Sequence, residues 1–183
     1  GYFHRKEYAG DKVKLVGLEF YHQLEWSKLN ANWSFSLLNY REGIQEHRAL
    51  QKELVDLDYF LRVAINWNIT AYLQLGLNTI YRQGGMYFPI EKGVFNSDWQ
   101  VYEPVYNSNP QRLDNYFIVD LNLSNRILLF DRWPAIAFIS VNNLLNRKNI
   151  RDYYNDLSYD KREPILFGQR VFYAGINLTL GNG

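Results

Sequence analysis

The chain contains no cysteine. A disulfide framework, a zinc–thiolate site and a cysteine nucleophile are therefore excluded. An excess of charge of one sign is also missing, since 20 Lys and Arg face 19 Asp and Glu for a net charge of +1. No basic field points to nucleic acid, and no acidic tail points to a basic partner. With 5 prolines and 12 glycines in 183 residues, the composition is not that of a disordered chain. No stretch approaches the roughly 18 consecutive apolar residues of a transmembrane helix. The opening Gly1-Tyr2-Phe3-His4-Arg5-Lys6 is not followed by an apolar run, so an export signal is not expected within this sequence. Mean hydropathy is −0.37. That value leaves a membrane β-barrel open, because only alternate residues of its strands face lipid and its loops are polar.

What the chain does have is aromatics, at 17% with 15 Tyr and 11 Phe, and a period of two. Val16, Leu18, Phe20, His22, Leu24 and Trp26 alternate with Gly17, Glu19, Tyr21, Gln23 and Glu25. Ala31, Trp33, Phe35 and Leu37 alternate with Asn32, Ser34 and Ser36. A third stripe runs Leu57, Tyr59, Leu61, Val63, Ile65, Trp67 against Asp58, Phe60, Arg62, Ala64, Asn66. A fourth runs Ala71, Leu73, Leu75, Leu77, Thr79, Tyr81 against Tyr72, Gln74, Gly76, Asn78, Ile80. A fifth sets Phe117, Val119, Leu121 and Leu123 against Ile118, Asp120, Asn122 and Ser124. The sixth, 135–145, is less regular, with Ile139 and Val141 as its apolar face; the seventh sets Phe172, Ala174, Ile176, Leu178 and Leu180 against Tyr173, Gly175, Asn177 and Thr179. On a helix this pattern would smear apolar residues all round, so it predicts seven β-strands, most near the roughly 9–11 residues a tilted strand needs to cross a bilayer.

The connections alternate. Short ones fall at Ser27-Lys28, Asn68-Ile69 and Asp131-Arg132, and long ones at 42–56, 83–113 and 146–168. All short turns then lie at one end of the strands and all long loops at the other, as in outer-membrane barrels; a β-sandwich has no reason to sort its loops. Trp26, Trp33, Trp67 and Trp133 fall near the short turns, where an indole girdle would mark the lipid–water boundary, while Trp99 falls in a long loop. The fold class expected is all-β, a run of antiparallel transmembrane barrel strands over the whole of 1–183.

Three segments resemble TonB-dependent receptors of the outer membrane, particularly those of Bacteroidetes. The first is Tyr8-Ala9-Gly10-Asp11-Lys12-Val13-Lys14-Leu15-Val16-Gly17-Leu18-Glu19, similar to a strand opening in which Gly-x-Glu follows a loop. The second is Val141-Asn142-Asn143-Leu144-Leu145-Asn146-Arg147-Lys148-Asn149, similar to the late "NLFN" signature with Leu145 where Phe is usual. The third is Gln169-Arg170-Val171-Phe172-Tyr173-Ala174-Gly175-Ile176-Asn177-Leu178-Thr179-Leu180, similar to the final strand, although Leu180 stands where the family closes on an aromatic. The resemblance implies a 22-strand barrel with an N-terminal plug. This chain would be its C-terminal part, lacking plug and signal peptide, with 1–11 the tail of an outer loop.

The function implied is an outer-membrane receptor and transporter for energy-coupled uptake of a scarce nutrient. Its partners would be outer-membrane lipid, the plug and remaining strands, the inner-membrane TonB complex and a small nutrient ligand, with no nucleic acid. The alternatives are a small outer-membrane barrel with an adhesin, structural or lipid-hydrolase role, and a soluble lipocalin-like binder. No nucleophile–base motif stands out, so no catalytic residue, cofactor or metal is expected. His4, His22 and His47 are scattered. Asp152, Asp156 and Asp160, four apart, would suit either a calcium loop or a solvated, hydrogen-bonded one, but lack an EF-hand's glycine and closing glutamate. Gln83-Gly84-Gly85 reads as a flexible loop start. Tyr87, Phe88, Trp99, Tyr102 and Tyr106 (with Phe95) are candidate ligand contacts in an outer loop; Glu19, Arg62, Gln74 and Asp120 are candidate lumen residues.

Overall fold

A computed structural model describes residues 13–42, 59–130 and 132–178 of the chain. The proposed outer tail 1–11, His4, His47, most of the 42–56 connection, Asp131 and the closing Leu180 lie outside the described residues. The strands are β1 (Val13–Glu25), β2 (Leu29–Glu42), β3 (Tyr59–Asn68), β4 (Leu73–Arg82), β5 (Met86–Tyr87), β6 (Ile90–Asn96) and β7 (Val101–Tyr106). They continue with β8 (Gln111–Arg112), β9 (Tyr116–Leu129), β10 (Trp133–Asn142), β11 (Ile150–Asn155), β12 (Arg162–Leu166) and β13 (Val171–Leu178). Seven of them form one antiparallel sheet in the order β1-β2-β3-β4-β9-β10-β13. These are the seven strands that period-two alternation marks out, although β2 and β9 run longer than their stripes.

Register decides the faces, because directly opposed residues share one side of a pleated sheet. One row runs Leu29, Trp67, Leu75, Leu123, Ile139, Ala174, and the next Ala31, Ile65, Leu77, Leu121, Val141, Phe172. The apolar stripes of all seven strands thus merge into one continuous face, and Ile139 and Val141 take the side expected of them. Trp33, Trp67 and Trp133 belong to this face by the same parity. At its long-loop end, Tyr59, Tyr81 and Phe117 form a second aromatic row, with ring centres 5.7 and 6.0 Å apart.

Nothing described covers this face. On the described part of this face only Ala31 and Ala135 are buried, whereas Phe20, Ile139 and Ile176 are each more than half exposed. In water, each large side chain left out in this way forgoes about 1.5–3 kcal/mol. A soluble sheet of this size would carry a second layer. On β9 this face runs from Phe117 to Leu129, apolar except at Asn125. At about 3.4 Å per residue and a tilt near 40°, that is a band about 30 Å high, which is close to a membrane barrel's lipid-facing belt of about 25 Å. β4 begins at Leu73 opposite Asn125 while β9 runs on to Leu129, a stagger of the sort tilted strands produce.

Inside the sheet, Gly175 lies opposite Phe138, whose ring fills the space a Cβ would occupy. Such cross-strand cover of a strand glycine compensates its missing side chain. Among the described residues the sheet stays open: β1 and β13 are its edges, and no closed barrel forms.

Two of the connections read as loops are themselves β-structure. In 83–113, β5 pairs with β8 and β6 with β7, one nested hairpin rising above β4 and β9. In 146–168, β11 pairs with β12. Their short runs and bulges, at Ile90/Lys92 and Ile150/Asp152, break the alternation that identified the longer strands.

Candidate functional site

The face opposite the apolar one is polar and built in rows. Gln23, Asn32, Ala64, Asn78 and Asp120 form one, and Glu25, Asn30, Asn66, Gly76, Asn122, Ser140 and Tyr173 the next. Glu19, Arg62, Gln74 and Asp120 all fall on this face. The first three are exposed. Gln74 borders a concavity of about 530 Å³ at the short-turn end, shared with Lys28, Asn68, Ser124 and Arg126. Asp120 is committed elsewhere: its Oδ1 accepts the Asn143 backbone N–H at 2.8 Å.

Asn143 and Asn149, in the asparagine-rich segment, are buried, at 2% and 3% exposure. Asn143 has φ 53°, a conformation asparagine tolerates better than most residues. Its Oδ1 accepts from Arg147 N, and its Nδ2 donates to the carbonyls of Arg147 and Gly168. Asn149 uses its side-chain amide as a strand uses its backbone: Nδ2 donates to Phe117 O at 2.8 Å and Oδ1 accepts from Phe117 N at 2.9 Å. The segment ties the β11–β12 hairpin to β9 and so fixes one outer arm to the wall.

A second tie joins the two outer arms. The Arg162 guanidinium lies 4.1 Å from the Tyr153 ring centre and 5.9 Å from that of Tyr87, and donates to Tyr87 Oη at 3.4 Å. The Tyr87 and Tyr153 rings are 5.3 Å apart. Burial raises the Tyr153 phenol above its ordinary pKa, Tyr87 adds to the rise, and Arg162 opposes it. Further out, the backbone at Gly93 sits against that of Ser158 so closely that a Cβ would overlap the Ser158 carbonyl oxygen.

The five loop aromatics therefore divide. Tyr87 is held in the inter-arm contact and Phe88 is half-buried. Trp99, 76% exposed, stands in the turn of the β6–β7 hairpin. Tyr102 packs edge-to-face on Phe95 at 5.2 Å, and Tyr106 is exposed lower on the same arm. Only Trp99, Tyr102 and Tyr106 remain available as a surface.

Two expectations change. Gly84 is no flexible start: it is buried where a Cβ would overlap the Leu113 carbonyl, and the Arg112 guanidinium donates to its oxygen at 3.0 Å. The Asp152–Asp160 run adopts the hydrogen-bonded form, and no group of three acids or histidines among the described residues is placed to hold a metal. Asp156 closes a turn by accepting from Lys161 N and Ser158 Oγ, and the Lys161 N–H foremost holds its carboxyl below the ordinary range.

Arg82, Arg162 and Phe167 were not singled out from sequence. Arg82 was detectable as the next step on the polar face after Gln74, Asn78 and Ile80; Arg162 depends on an arm-to-arm contact and Phe167 on an arm-to-sheet contact, which no local pattern encodes. No protein-family model matches the chain, and no curated protein or solved structure matches it. The likeness to TonB-dependent receptors rests on the three segments that carry it.

Proposed function

We propose that the chain is wall and outer arms of an outer-membrane β-barrel, the C-terminal part of a TonB-dependent receptor that imports a scarce nutrient without making or breaking bonds. The observation that carries this reading is the uncovered apolar face of seven strands, bounded by tryptophans at the short turns and by Tyr59, Tyr81 and Phe117 at the other end. Lipid is the solvent that suits such a face. The edges at β1 and β13 do not pair with each other among the described residues, which favours a wall continued by further strands, up to the family's 22, over a small closed barrel. The polar rows would line the lumen or meet the plug, and the exposed aromatics of the β6–β7 arm would meet ligand first. Energy coupling would come from the inner-membrane complex through the plug.

The test is topology in intact cells. A cysteine at Asn107, in the β7–β8 connection, is expected to react with a membrane-impermeant maleimide, and one at Lys28, in the β1–β2 turn, to stay protected. The chain has no native cysteine to compete. Labelling at Lys28 but not at Asn107 would invert the barrel and remove the receptor reading.

A further inference from the structure

The polar face carries three arginines that nothing described neutralises, Arg62, Arg82 and Arg126, and the first two are neighbours. Arg62 on β3 lies opposite Ile80, and Arg82 on β4 lies opposite Phe60, so the two are diagonal neighbours on one face. Cβ atoms so related are about 7–8 Å apart, within reach of two long side chains. The Arg62 side chain is exposed. The Arg82 guanidinium is 4.8 Å from the Tyr116 ring centre and 5.2 Å from that of Phe167, and these rings meet edge-to-face at 5.0 Å. The rings orient this cation but leave its charge in place.

Neither guanidinium pairs with a carboxylate among the described residues. Glu19 shares a row with Arg82, but three strands away, at about 14 Å. Asp120, one strand over and opposite Asn78, lies four residues along from Arg82, at about 14 Å. Two like charges side by side repel unless an anion lies between them. The guanidinium fork fits the paired oxygens of a carboxylate or phosphate.

We propose that Arg62 and Arg82 form an oxyanion-binding site on the polar face, taking carboxylate or phosphoryl groups of a water-soluble ligand. The proposal deepens the transport reading and rests on it, because it needs the polar face open to water.

The membrane-embedded protein is titrated calorimetrically with citrate, with inorganic phosphate and with maltose as a neutral control. At least one of the two anions binds, more weakly as salt rises, and maltose does not. Citrate alone would identify carboxylate as the natural group, and phosphate alone a phosphoryl group. Arg62→Gln and Arg82→Gln each lower the affinity about ten-fold or more, and Arg62→Lys, which keeps the charge but loses the fork, lowers it less. Arg82 also packs on Phe167; if Arg82→Gln fails to assemble, Arg62→Gln alone decides. Absence of binding by either anion, or binding unchanged in Arg62→Gln, overturns the site. Maleimide labelling at Asn107→Cys is read on the same preparation, so correct insertion without anion binding sinks the site and leaves the barrel standing. Wrong labelling sinks the barrel and, with it, the lumen this site requires.

Discussion

Neighbouring residues on one strand lie on opposite faces of the sheet, and in the proposed barrel those faces meet different solvents. Leu77 sits in an apolar row between Ile65 and Leu121, while Asn78, next to it on β4, sits between Ala64 and Asp120. Leu77→Arg places a charge in lipid, costing about 2–4 kcal/mol near mid-bilayer, whereas Asn78→Arg places one beside Asp120 in water and costs about 1 kcal/mol or less. Denaturant unfolding in lipid vesicles is expected to show Leu77→Arg the less stable; the opposite order would show that the faces are reversed, and equal midpoints that neither face meets lipid. Asp156 makes a prediction in pH. Its folded pKa is lowered, so its contribution is complete above the unfolded value of about 3.9 and is lost as pH falls through the lower folded value. Protection of the Lys161 amide, measured against its intrinsic exchange at each pH, should therefore hold at pH 5 and be lost only below the ordinary carboxylate range. Asp156→Asn should be unprotected at both, and a wild-type transition above pH 4 would contradict the turn described.

At the scale of elements, the two outer arms are joined at two heights, Arg162 between Tyr87 and Tyr153 and Gly93 against Ser158, while Asn149 on Phe117 anchors one of them to the sheet. They should move as one body. Spin labels at Ser97 and Asp160 are expected to give a single narrow distance distribution. Arg162→Ala should broaden it, and Gly93→Leu should displace it, because the new side chain has no room; a broad distribution in the unaltered protein would mean that the arms are independent. The seven strands of the sheet were legible because a sheet with one apolar and one polar face imposes alternation on every residue of a strand. The arms were not, because a hairpin standing in water on both sides needs no such alternation: Val94 lies opposite Glu103 and Asn96 opposite Val101. The asparagine-rich segment was visible as a motif, but its work, replacing a strand's backbone by the Asn149 amide, is a contact over 32 positions of sequence. Alternation placed the four candidate lumen residues on one common face, and the sheet does the same. Alternation could not show that Asp120 is already occupied, since its partner arrives from a different strand's end.

At the scale of the whole molecule, an apolar face with two open edges is not a self-sufficient object. Each unpaired backbone group at β1 or β13 exposed to lipid costs several kcal/mol. The 183 residues by themselves should therefore fail to give the compact, heat-modifiable monomer band that closed barrels show on detergent gels; a sharp band of this kind would mean that the chain closes alone.

The nested hairpin between β4 and β9 also bears on the order in which the wall is built. A connection of 33 residues would ordinarily make the β4–β9 pairing slow, because an unstructured loop must close before any contact rewards it. Here the β6–β7 turn can form first, β5–β8 follows, and β4–β9 then zips downward from a clasp already shut. The tip around Trp99, at the turn of the β6–β7 hairpin, becomes a starting point for assembly. Deleting 90–106 would leave the finished sheet's contacts intact and yet slow its formation, a defect visible in the refolding rate while the unfolding rate stays the same.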